Sequence, residues 1–189
     1  MPDDRSFAAA YAEEAFRSFR GYKRMADGTF AQIDDRAFFH LPDPESNSIA
    51  MLVKHISGNL RSRWTDFLTT DGEKPDRNRD QEFVLTPADT REDLIRRWGA
   101  SFDTVFSTLK GLKPEDFDKT VYIRGESHSI IQAINRSLNH VAGHISQIVF
   151  LGKLLRGTEW KTLSIPRGKS AEYNAMKPQD RKVKSPTRG

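Results

Sequence analysis

Four stretches of this chain return an apolar side chain every third or fourth residue, and none sustains the alternation of a half-buried strand, which confines the fold to packed amphipathic helices. The first runs from about Ser6 to Ile33, with Phe7, Tyr11, Ala15, Phe19, Tyr22, Ala26, Phe30 and Ile33 on one stripe. Gly21 and Gly28 weaken its interior and predict a bend or a fray. A long connection containing Asp34-Asp35 and Leu41-Pro42-Asp43-Pro44 follows. A second helix starts near Ser48 and carries Ile49, Leu52, Val53, Ile56, Leu60, Trp64, Phe67 and Leu68, with Asp71-Gly72 and then Pro75 as its stop. Thr90, with Asp93 three residues on, caps a third helix that presents Leu94, Ile95, Trp98, Phe102, Val105, Phe106 and Leu109 and ends at Gly111. The fourth, from about Ser129 to Arg156, is apolar on more than one stripe and should be the most buried; Gly157 closes it.

The connections are long. Thr69 to Ala88 is polar and charged, and loops of that length in a small domain are usually functional or mobile. From Thr120, Val-Tyr-Ile-Arg-Gly-Glu-Ser favours a short extended pair turning at Gly125. Trp160, Leu163 and Ile165 can pack a short piece of chain onto the helices. The expected fold is all-α, a four-helix bundle with long crossover connections over residues 1–165, followed by a basic tail over 166–189. Trp64, Phe67, Trp98 and Phe102 fit either its core or a seam between two copies.

With 189 residues the chain can bury a core without staples, and its lack of cysteine excludes disulfides, thiolate metal sites and a cysteine nucleophile. Any metal must be held by nitrogen or oxygen. The charged start, Met-Pro-Asp-Asp-Arg-Ser, has no apolar signal core, and no apolar run of about 18 residues could span a bilayer, so a cytoplasmic protein without membrane partners is expected. The net charge of +4 comes from the tail: Lys161, Arg167, Lys169, Lys177, Arg181, Lys182, Lys184 and Arg188 stand against Glu172 and Asp180. A Pro-containing basic extension of this kind reads as solvated chain rather than as a nucleic-acid reader.

The chemistry lies in the histidines. His140 and His144 are four apart in the fourth helix, which puts both imidazoles on one side about a turn apart, where one metal ion can bridge them. His55, between Leu52 and Ile56, borders the buried stripe of the second helix and is the natural third ligand. Three imidazoles leave a coordination position open, the pattern of a catalytic site, and suit zinc or nickel foremost, with iron or manganese as alternatives. The same residues also read as core histidines bonded to neighbours such as Asn59, Asn139 or Gln147. Val141-Ala142-Gly143 between the pair lacks the glutamate of the HExxH peptidases.

The order of these elements resembles the DinB and YfiT-like superfamily of metalloenzymes. The strings from Ser48-Ile-Ala-Met-Leu-Val-Lys-His through Trp64-Thr-Asp-Phe-Leu to Lys74, then Ile123-Arg-Gly-Glu, Ala133-Ile-Asn-Arg and His140-Val-Ala-Gly-His-Ile-Ser-Gln-Ile-Val, are similar to a branch of unassigned function. The resemblance spans about Tyr22 to Asn174. It implies that His55, His140 and His144 are metal ligands and that the chain forms a homodimer. It also implies metal-dependent transfer of a low-molecular-weight thiol to a small electrophile, or a hydrolysis. Arg61, Arg63, Arg124 and Arg136 are then candidates to clamp a substrate carboxylate, against the plainer reading of exposed solubilising charge. His128 is a candidate acid or base, or a residue that packs at a helix start. The rival from another class is a non-catalytic metal-binding or stress-response module that uses the 69–88 loop as a partner contact.

Overall fold

The computed structural model describes residues 4–177, and these form six α-helices and one small two-stranded sheet. Four helices are long: α1 (Asp4–Phe30), α3 (Ile49–Trp64), α4 (Arg91–Gly111) and α5 (Ile130–Arg156). The short α2 (Asp35–Phe39) lies within the first long connection, nucleated by Asp34, whose side chain accepts from the Ala37 amide. An antiparallel hairpin of β1 (Thr120–Ile123) and β2 (Glu126–Ser129) turns at Arg124-Gly125, as the β-branched run predicts. The exposed α6 (Ser170–Ala175) belongs to the expected tail; residues 178–189 of that tail lie outside the described residues.

Helix boundaries fall where the side chains cap them. Ser48 accepts from Met51 N at 3.1 Å and Thr90 from Asp93 N at 3.2 Å. Ser129 opens α5 with a full capping box, its hydroxyl on the Gln132 amide and the Gln132 side chain on its own. Helix α1 continues through Gly21 and Gly28 to Phe30.

The long helices pack in a closed circuit, α3 against α4 and α5, α1 against α4 and α5, with the apolar stripes turned inward. Trp64, Phe67, Trp98 and Phe102 are all in this core rather than on a seam. Trp64 meets Phe19 edge-on at 5.4 Å and stacks on Phe67 at 5.0 Å, and Trp98 lies 4.6 Å from Phe102. Both indoles are satisfied, Trp64 by Ser137 Oγ at 3.0 Å and Trp98 by Asp27 Oδ1 at 2.9 Å. Among the described residues no helix is long and apolar enough to cross a membrane.

Phe102 is fully buried, so Phe102→Ala is expected to lose about 3–5 kcal/mol in chemical denaturation, against a change within about 0.5 kcal/mol for the exposed Lys153→Ala. Asp89 adds a pH dependence. Burial raises its carboxyl, but Lys54 and Thr86 hold it below the usual value near 3.8. A carboxyl lowered on folding stabilises the protein above its unfolded value and loses that contribution as pH falls through the folded one. Denaturation from about pH 6 to about pH 2.5 should therefore show the gap between wild type and Asp89→Asn narrowing below about pH 4.

Candidate metal centre

Helices α3 and α5 meet at the hairpin end of the molecule, where α3 contributes His55 and α5 contributes His140 and His144. The three rings form a compact triangle, with centroids 5.0 Å apart for His55 and His140, 4.9 Å for His55 and His144, and 4.7 Å for His140 and His144. One ring nitrogen of each lies within 4.8 Å of the other two, so the cluster could hold a metal ion. A tetrahedral ion with bonds of about 2.0–2.1 Å sets its donors about 3.4 Å apart, so side-chain rotations on the order of an ångström close the triangle.

Two of the three Nδ1 atoms have partners of their own. His55 Nδ1 donates to Glu82 Oε2 at 2.8 Å, which fixes the tautomer and leaves the Nε2 lone pair facing His140 Nε2 at 3.0 Å. His144 Nδ1 donates to Gln147 Oε1 at 3.1 Å, the partner that the core-histidine reading also names. His140 Nδ1 is buried with no partner at all. Burial pushes the His140 imidazole from its usual 6.5 down to about 3, with His144 and His55 pushing the same way. His144 is lowered too, by burial first, against the opposing bond to Gln147. Ring nitrogens gathered this closely, with His140 and His144 held neutral by burial and one buried nitrogen left without a partner among the described residues, fit a divalent cation by donor chemistry.

Glu82, Arg77 and Phe83 carry none of the periodicity or spacing signals that single out the histidines. All three come from the 69–88 loop, which is packed against the site through a single 3-10 turn at Asp80–Phe83. Arg77 forks onto Glu82, Nε to Oε1 and Nη2 to Oε2, each at 2.9 Å. Burial alone would raise the Glu82 carboxyl, but the bonds from His55 and Arg77 hold it below its usual value, and it remains an anion. The Phe83 ring lies 4.5 Å from that of His55. Gly58, one turn after His55, makes room for this carboxylate: a Cβ there would fall on Glu82 Oε1.

The triangle opens into a cavity of about 500 Å³. Three of the four arginine candidates line it, Arg63, Arg124 and Arg136, together with Arg77 and Arg79. Arg61 does not; it is exposed and pairs with Asp76 at 2.9 Å. His128 sits on β2 opposite Val121, outside the cavity lining, with its Nε2 buried and without a partner.

Fold and site together define a mostly helical protein with a partly buried three-histidine cluster that could hold a divalent metal. The chain belongs to the family described as "Protein of unknown function (DUF1572)", whose model matches residues 6–169. No curated protein and no solved structure matches it.

The carboxylate behind His55 gives a direct check. Glu82→Gln, which keeps the shape and removes the charge, should weaken zinc binding about 10–100-fold in competition with a chromophoric chelator. Gly58→Ala should do the same by displacing Glu82, without touching a ligand.

Proposed function

We propose that this chain is a divalent-metal-dependent enzyme built on a DinB/YfiT-like four-helix bundle, with His55, His140 and His144 as the ligands. The observation that carries this reading is the cavity: the three donors stand at the wall of a space large enough for a small molecule, so a bound ion keeps a face toward substrate. A structural ion would instead be enclosed by four protein ligands. The 69–88 loop turns Arg77, Glu82 and Phe83 inward to the site, which favours catalysis over its use as a partner contact.

A divalent ion in this position supplies Lewis acidity, lowering the pKa of a bound thiol or water. Zinc or nickel suits three imidazoles best, with iron or manganese also compatible. The reaction we favour is thiol transfer: the thiol releases its proton, its sulfur bonds to an electrophilic carbon of a small substrate, and the leaving group departs with the bonding pair. We assign substrate contact to Arg63, Arg124 and Arg136, which line the cavity. His128 stands apart from the cavity, so solvent at its mouth takes the proton. A homodimer, implied by the resemblance, belongs to the same reading; Phe150 and Leu154, one turn apart on α5 and both exposed, would supply an apolar stripe for it.

Untagged protein purified without chelator should contain about one equivalent of divalent metal per chain, and His55→Ala, His140→Ala and His144→Ala should each lose it while keeping their helical circular dichroism. The loaded protein should also accelerate consumption of a low-molecular-weight thiol by a model electrophile such as a chlorodinitroarene. Metal-free wild type that takes up neither zinc nor nickel would remove the basis for the reading.

A further inference from the structure

The five arginines of the cavity wall are not equivalent. Arg77 is committed to Glu82 through two nitrogens and to Glu73 through a third. Arg63 gives its two terminal nitrogens to the Gly72 carbonyl and to Glu73. Arg79 lies over the Phe83 ring, 3.6 Å from Asp80. Arg124 reaches Glu73 only through Nε, at 2.9 Å, which leaves its two terminal amino groups uncommitted. Arg136 makes no side-chain hydrogen bond or ion pair among the described residues.

Among the described residues these five guanidinium cations pair with three carboxylates, Glu73, Glu82 and Asp80, while a fourth, Asp71, is taken up by backbone amides, and no carboxylate lines the cavity itself. The surplus positive charge rests on Arg124 and Arg136. Arg124 also occupies a backbone position with φ of +57°, where glycine or asparagine would sit with less strain. Asp71 holds that conformation by accepting the Arg124 and Gly125 amides, each at 2.8 Å. A strained arginine at a turn tip, kept in place by a dedicated anchor, points to work for its side chain. Trp64, Phe67, Val121 and Ile123 give the wall an apolar stretch, beside the polar Asn47, Asn59 and Ser137.

We propose that the cavity binds an amphiphilic organic carboxylate, its carboxylate received by Arg124 and Arg136 and its apolar body laid on the wall of Trp64, Phe67, Val121 and Ile123. The open edge of the Arg124 guanidinium offers two coplanar donors, which match the two oxygens of a carboxylate. Imidazoles bring no negative charge, and Glu82 and Glu73 are held by arginines, so the ligand supplies the anion that the cavity lacks. This rests on reading the cavity as a substrate site, and it names the class of molecule that enters.

Titration calorimetry tests it with benzoate, phenylacetate and 4-phenylbutanoate, each beside its uncharged amide, and with inorganic phosphate. The proteins are zinc-treated wild type, Arg124→Gln, Arg136→Gln and, as a control off the cavity, Arg61→Gln. At least one aryl carboxylate should bind, about tenfold or more tighter than its amide, with a loss of about tenfold in Arg124→Gln and in Arg136→Gln and none in Arg61→Gln. Arg136 is exposed on α5, so that variant keeps its fold. The proposal is overturned if no carboxylate of the series binds at millimolar concentration, if the amides bind equally, or if phosphate binds as tightly as the best carboxylate. Binding undiminished in both arginine variants would place the carboxylate on the metal and overturn it as well. Metal content, measured on the same samples, separates the two ideas: metal uptake without carboxylate binding removes only this inference, whereas carboxylate binding without metal uptake leaves the anion site and removes the metalloenzyme.

Discussion

A carboxylate buried beside an apolar core is costly to keep charged unless its oxygens are fully engaged, and Glu82 meets that condition through Arg77 on one side and His55 on the other. Much of this end of the molecule follows from that chain of contacts. It sets the tautomer of His55, turning Nε2 toward His140. It folds the 69–88 loop back onto α3, because Arg77 and Glu82 both come from that loop. It also requires a glycine at position 58, since any side chain there would occupy the space that the carboxylate fills.

The same loop ties the site to the hairpin. Gly72 N donates to Tyr122 O at 2.8 Å, Ser62 Oγ donates to the Gly72 carbonyl at 2.7 Å, and Asp71 holds the turn at Arg124 and Gly125. Glu73 joins Arg63, Arg77 and Arg124 from three different segments. The cavity is therefore walled by two helices, a loop and a hairpin held together by polar contacts, while the aromatic core around Trp64 and Trp98 fixes the helices beneath it. Rigid helices supply the histidines with Arg63 and Arg136, and the loop and the hairpin turn supply Arg77, Arg79, Glu82 and Arg124 around them.

The helices were legible because their signals are local: periodic apolar residues, and Ser48, Thr90 and Ser129 at the N-termini. So was the pairing of His140 with His144, which a single helix turn dictates. The meeting of His55 with them depends on how α3 packs on α5, and there the sequence had only the position of His55 at the edge of a stripe. Glu82 and Arg77 were not legible. They sit among some eight charged residues of the 69–88 loop, nothing local distinguishes the carboxylate that turns inward from Asp80 beside it, and the contact they make is 27 residues away along the chain for Glu82 and His55. Arg61 and Arg63 show the same limit on a helix: two residues apart, they face different sides, one to Asp76 in solvent and the other into the cavity.

We propose that His55, His140 and His144 bind one divalent ion that keeps an open face. The most direct test is a crystal structure of zinc-loaded protein with anomalous data collected on both sides of the zinc edge. One strong peak per chain is expected within bonding distance of a nitrogen from each of the three histidines, with the remaining coordination directed into the cavity. No peak there, or an ion enclosed by a fourth protein ligand, would contradict it.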